Sequence, residues 1–206
     1  FPVDEAVRFY NRTRAQYPGD PISLFLMDDG HMRSQNKQAD VIENPPGNLI
    51  DQLNKNPDLQ ADLFPSTRVD FIQLDHHYPP FKDKNVRLAL NYGIDRAAIV
   101  KLAYSDHATL GSSFMPYKMQ YWNSSLKPYP YNLAKAKAYL KKSKYPNGFK
   151  TFLIEVTNDV AGNATAVVIK SNLAKLGIKV DIQTYELLTA YAKEDSGKSQ
   201  MGQRYW

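Results

Sequence analysis

The sequence predicts one α/β domain spanning residues 1–206, a mixed sheet flanked by helices with a βαβ unit in its C-terminal third. Segments rich in β-branched and aromatic residues alternate along the chain with segments of helical period, the pattern of a layered α/β or α+β fold. Residues 152–156, 164–176 and 178–184 read as strand, helix and strand, with Gly177 as the left-handed residue that ends the helix. Such a connection is almost always right-handed and makes the two strands parallel. Of the 206 residues 43% are apolar, enough to bury a core unaided, and there is no cysteine for a disulfide or a thiolate zinc site.

Taken in order, residues 3–10 and 22–27 read as strands separated by the turn signal Tyr17-Pro18-Gly19-Asp20. Asp28 or Asp29 caps a short helix that runs to Gln38, and residues 39–43 return as a strand. Pro45 and Pro46 open a helix whose Leu49, Ile50 and Leu53 share a face, and Asn56-Pro57 stops it. Residues 68–74 alternate, with Val69 and Phe71 on one side and Asp70, Ile72 and Leu74 on the other, as in a strand covered on at least one face. From Lys84 onward Val86, Ala89 and Leu90 form the apolar stripe of a helix, and Asp95 caps a second one containing Ile99, Val100 and Leu102. Helical period is lost over residues 105–131, where Gly111, Pro116, Pro128 and Pro130 punctuate a stretch holding Phe114, Tyr117, Tyr121, Trp122 and Tyr129. A connection of that length is either functional or packed on the surface, and both roles stay open. Asn132 caps a helix over residues 133–143, which Tyr145-Pro146-Asn147-Gly148 ends, and a last helix from Glu186 leads into a strand over residues 200–206.

Charge and motif content argue against several functions. The formal charge of +5 comes from 26 basic and 21 acidic residues scattered among one another. The densest basic run, Lys135, Lys137, Lys141, Lys142 and Lys144, lies on one predicted helix without an aromatic or glycine-rich recognition signature, so it reads as a solvated face and no nucleic-acid partner is expected. No run approaches the roughly 18 apolar residues of a membrane span, and residues 1–10 lack the basic start and apolar stretch of a signal peptide. His76 and His77 are neighbours on an extended segment and point to opposite faces, while His31 and His107 stand apart from any carboxylate cluster, so neither metal nor cofactor is expected. There is no Gly-x-Ser-x-Gly elbow, and Ser112-Ser113 lacks a strand-to-helix turn, so the chain is not expected to be an enzyme. Asn91, Asp95 and Arg96 read as groups that cap and tie two helices together.

Three blocks carry a stronger signal: residues 79–96 (PPFKDKNVRLALNYGIDR), 128–149 (PYPYNLAKAKAYLKKSKYPNGF) and 171–183 (SNLAKLGIKVDIQ). In that order and at those separations they resemble the extracytoplasmic solute-binding proteins of ABC importers, in the oligopeptide, dipeptide and nickel-binding class known as family 5. The likeness runs along nearly the whole chain. The opening segment at residues 2–9 is similar to the strand by which that family enters its second lobe, and residues 38–43 resemble its segment after a short helix. In the first block the resemblance implies an exposed loop carrying Phe81 ahead of the helix.

The resemblance further implies a two-lobed periplasmic-binding-protein fold in which a second lobe is inserted into the first, and this chain resembles that inserted lobe alone, an excised fragment. It implies a carrier that captures a solute, a peptide above all, by closing against the complementary lobe, and that delivers it to the membrane permease of an ABC importer. The implied location is periplasmic, or extracytoplasmic and membrane-anchored in a Gram-positive host. The family continues past this region with a Gly-Trp pair and an Ala-Asp-Tyr stretch whose Asp pairs with the amino terminus of a peptide ligand. Trp206 corresponds to that Trp, Tyr205 stands where the Gly is expected, and the Asp lies beyond the residues given. Trp206 and Arg204 are therefore the candidate ligand-binding residues, since an aromatic face and a guanidinium suit an extended peptide with charged ends. Core burial fits Trp206 equally well. Two other classes remain: a receptor or scaffold domain that uses the aromatic stretch at residues 114–129 for protein contacts, and a basic nucleic-acid module with steeply salt-dependent binding.

Overall fold

Side-chain caps fix where four helices of this protein begin. The computed structural model describes residues 49–57, 61, 67–197 and 199–205, and the chain divides into two compact units, Phe1–Ser66 and Thr67–Trp206. In the first unit the described helix is a single turn, α1 (Ile50–Leu53), with Ile50 and Leu53 buried. The strands expected at residues 3–10, 22–27 and 39–43, the helix ending at Gln38, His31 and Trp206 all lie outside the described residues.

The second unit runs β1 (Asp70–Leu74), α2 (Pro79–Lys82), α3 (Lys84–Gly93), α4 (Arg96–Tyr104), α5 (Leu133–Lys141), β2 (Lys150–Val156), α6 (Val160–Ala174), β3 (Lys179–Tyr185), α7 (Leu187–Asp195) and β4 (Met201–Tyr205). Asp83 accepts from the Asn85 amide at 2.8 Å to open α3, Asp95 from Ala98 at 3.0 Å to open α4, and Asn132 from Lys135 at 2.8 Å to open α5. The same device moves the start of α6 ahead of its apolar periodicity: Asp159 accepts from the Gly162 amide at 2.8 Å, so the helix begins at Val160 rather than at Ala164.

The sheet is mixed, in the order β1-β4-β2-β3. β2 and β3 are parallel with Leu153 opposite Ile182, β4 runs parallel to β2 with Leu153 opposite Met201, and β1 is antiparallel to β4 with Leu74 opposite Met201. The predicted βαβ unit is thus β2-α6-β3. Ile72, Leu74, Leu153, Val180, Ile182 and Met201 share one face of the sheet and pack with Val86 and Leu90 of α3, Leu140 of α5, and Ile169 and Leu173 of α6. The opposite face, where Ile154, Gly202 and Arg204 point, is met by α7.

The loop expected around Phe81 is corrected. The stretch taken for an exposed loop around Phe81 is the helical turn α2, and Phe81 is completely buried. Pro79 and Pro80 start that turn where a missing N–H costs nothing, and the turn directs Phe81 inward against Tyr78 and Phe149, with ring centroids 5.3 and 5.9 Å away. α4 contains Ile99, Val100 and Leu102 as expected, with Ile99 packed against the core and Leu102 exposed. The five lysines on and after α5 are all exposed, as a solvated face requires.

The turns that lead into β2 and β3 meet backbone to backbone. Gly148 and Gly177 have φ of +86° and +76°, and a Cβ on Gly148 would overlap the Gly177 carbonyl group.

Candidate functional site

Because β2, β3 and β4 run one way and β1 runs against them, the carboxyl ends of three strands and the start of the fourth share one edge of the sheet. In open α/β sheets it is outside this edge that ligands bind. Here the edge is crowded with polar groups. Arg68, just ahead of β1, donates from Nε and Nη2 to the Asp70 carboxylate at 3.2 and 2.8 Å, and its guanidinium stands 3.9 Å from the ring centroid of Tyr205, the β4 residue opposite Asp70. Half-buried Tyr104 ends α4 beside them. Burial pushes its phenol well above the ordinary value, the Asp70 and Asp159 charges add to the shift, and Arg68 opposes it.

Deeper in the same edge lies Glu155 of β2, only 2% exposed. It alternates with Ile154 and Val156 and so shares the inward face with Leu153. It is paired with Thr184 of β3, and the register that matches Leu153 with Met201 and Ile154 with Gly202 brings it level with Gln203 of β4. Glu155 Oε1, Gln203 Oε1 and Thr165 Oγ1 are all buried without a hydrogen-bond partner. α6 passes over this point at Gly162, where a Cβ would fall 2.6 Å from Asp159 Oδ2 and 2.8 Å from Glu155 Oε2. Two carboxyl groups therefore converge over a residue that has no side chain to separate them. Burial, with the Asp159 and Glu194 charges behind it, pushes the Glu155 carboxyl up to about 8.

On the other face, Glu194 of α7 is buried over Gly202, where a Cβ would overlap its carboxylate, and it accepts from Arg204 Nε. Arg204 Nη2 also donates to Asp195 at 2.6 Å, and the guanidinium lies 4.4 Å from the Tyr191 ring centroid. Burial raises the Glu194 carboxyl in spite of the Arg204 bonds, which pull it back.

Of the residues singled out in the sequence, Arg204 thus sits at the end of β4 with its guanidinium engaged by two carboxylates, and Trp206 lies outside the described residues. Arg96 donates to the Asn91 carbonyl at 2.9 Å and to its side-chain oxygen at 2.7 Å, while the Asp95 amide donates to Asn172 at 2.7 Å, so these residues tie α3, α4 and α6 together. His76 and His77 are exposed, and His77 Nδ1 lies 2.9 Å from Asp75. Among the described residues no three His, Asp or Glu side chains gather as metal ligands would, and no helix is long and apolar enough to cross a membrane. The connection over residues 105–131 leaves Phe114 67% and Tyr121 84% exposed, with Tyr117 edge-on to Trp122 at 4.9 Å. Glu155, Asp159 and Arg68 were not anticipated. The signal available for Glu155 was a carboxylate at an inward-facing position of an otherwise apolar strand.

Solved periplasmic binding proteins match this fold. The Helicobacter pylori ABC transporter-associated periplasmic binding protein DppA, in complex with the peptide STSA, matches with a TM-score of 0.81 at 29% identity, over 86% of this chain and 34% of that one. AgaA of A. tumefaciens R10, in complex with agropinic acid, matches with a TM-score of 0.67 at 28% identity, over 78% of this chain and 33% of that one. The model of the bacterial extracellular solute-binding proteins, family 5, middle region, covers residues 30–206, and the chain belongs to this family. The glutathione-binding protein GsiB of Escherichia coli is 34% identical over 153 residues, which are 74% of this chain and 30% of GsiB. The chain therefore spans less than a third of the length of that curated relative.

Proposed function

We propose that this chain is the second lobe of an extracytoplasmic receptor for an ABC importer, and that it captures a short peptide by closing against a complementary first lobe. The observation that carries the reading is the polar carboxyl edge of the sheet, found in a chain that belongs to a solute-binding family and spans 30% of GsiB. Its role is carriage rather than catalysis, outside the inner membrane, with the permease as the protein that receives the loaded receptor. The solute class follows the relatives, one named for glutathione and one solved with a peptide. Trp206 and Arg204 belong to this edge in the proposal. Trp206 stacks on the solute, and Arg204 keeps buried Glu194 while a solute carboxylate replaces Asp195, which is 69% exposed. Hinge closure then removes the solute from water between the lobes.

Thermal shift tests this directly. The chain is screened against short peptides, glutathione, nickel chelates and sugars, alone and with the first lobe supplied as a separate polypeptide. Stabilisation by peptides or glutathione only when both lobes are present is the expected result. A clear shift with this chain alone would overturn the divided cleft, and a response confined to chelates or sugars would overturn the solute class.

The exposure of Phe114, Tyr117 and Tyr121 favours a second reading, a receptor or scaffold domain that uses this connection for protein contacts. Replacing the three by Ser would abolish partner capture under that reading and leave solute-dependent stabilisation untouched under the first.

A further inference from the structure

The unpaired atoms under the carboxyl edge share a simple chemical remedy. An ionised Glu155 offers only acceptors, and the groups that the β4 register and Gly162 bring towards it include the unpaired amide oxygen of Gln203 and the carboxylate of Asp159, which also only accept. A single proton on Glu155 turns one of its oxygens into a donor among these acceptors. Leaving such buried groups unpaired is costly, and leaving two carboxylates ionised over Gly162 is costlier still. We propose that a proton held on Glu155 locks the crossover from β2 into α6, keeping the carboxyl edge rigid while Glu155 is protonated and loosening it when Glu155 ionises beside Asp159.

The surroundings favour the proton from each side. The crossover contributes Asp159, and α7 contributes Glu194, whose charge is already met by Arg204 of β4. α4 contributes Tyr104, which faces Asp159, Asp70 and Arg68. β3 and α6 contribute the uncharged Thr184 and Thr165. Arg204 is engaged by Glu194 and Asp195, and Arg68 by Asp70, so the charges acting on Glu155 are those of the neighbouring carboxylates. The raised carboxyl, about 8 against an ordinary 4.5, sets the window. The folded protein keeps a proton that the unfolded chain has released. Stability from this group is therefore full below about pH 4.5, is lost as the pH rises through about 8, and then levels. The proposal does not depend on the identity of the solute, because every measurement below is made without one.

The test compares the protein with Glu155→Gln, whose amide keeps a donor at the same place and cannot titrate. The wild-type melting temperature should fall by several degrees between about pH 5 and about pH 9, while the variant falls less and overtakes it at the alkaline end. Amide exchange in the first turns of α6, corrected for its intrinsic pH dependence, should quicken over the same range in the wild type only. Asp159→Asn, which retains a capping oxygen, should move the wild-type midpoint to lower pH. Parallel profiles for wild type and Glu155→Gln would overturn the proposal. Should the Gln variant fail to fold, infrared spectra of the wild type decide: the carbonyl band of a protonated carboxyl must be present at pH 7 and vanish on alkaline titration, and its absence at pH 7 would equally overturn the lock.

Discussion

The amino edge and the carboxyl edge of the same sheet are built in opposite ways. At the amino edge, Gly148 and Gly177 bring two turns into backbone contact, and Tyr78, Phe81, Tyr145 and Phe149 close the end with edge-to-face rings. The Tyr78 hydroxyl donates to the Lys150 carbonyl there. At the carboxyl edge, carboxylates crowd one another, three buried polar atoms lack partners, and an arginine rests on an exposed aromatic face. One edge is held mainly by rings and close backbone contact, with Thr151 Oγ1 its one buried side-chain atom without a partner among the described residues, and the other retains a cluster of such groups together with crowded carboxylates. Unfavourable polar burial of this kind persists where the surrounding structure can bear it and function has a use for it.

Three substitutions sharpen or break the contrast. Phe81→Ala should have the largest effect, about 4 kcal/mol of lost stability by urea unfolding, because it empties a fully buried site where four rings meet. A cost near zero would mean that the amino edge is not the structural one. Gly148→Ala should follow at about 3 kcal/mol, since the new methyl group meets the Gly177 carbonyl in a left-handed conformation. Arg68→Ala should cost least, about 0.5 kcal/mol, because the Arg68–Asp70 pair is partly solvated on the carboxyl edge. If unfolding curves show Arg68→Ala to be as damaging as Gly148→Ala, the carboxyl edge is also a structural element and the comparison fails.

Local chemistry made most of this unit legible in the sequence. Asp95 and Asn132 cap helices as read, Val86, Ala89 and Leu90 are buried, and β2-α6-β3 is the parallel crossover that Gly177 and its flanking strands imply. What escaped depends on residues distant in sequence. The exposed loop at Phe81 was what the resemblance implied, and only the approach of Phe149 shows why the ring turns inward. The start of α6 was misjudged because apolar period begins at Ala164, whereas the helix is nucleated by the Asp159 side chain. The candidate site was the least legible part. Arg204 was singled out by its place in the last strand and by the resemblance, whereas Glu155, Asp159 and Arg68 stand out only through neighbours that β4 and α6 bring to them.

The position of β4 between β1 and β2 also dictates an order of assembly. Among the described strands β1 pairs with β4 alone, so Asp70 must wait for Tyr205, while β2, α6 and β3 can form as soon as residue 185 exists. In a chain emerging from a ribosome the helices after β1 can already pack on the βαβ unit, but among the described strands β1 is not joined to the sheet until residues 201–205 arrive. Contacts of such long range are slow to form and leave an open strand edge in the meantime. Among the described strands, synthesis of β4 is the event that gives β1 its partner.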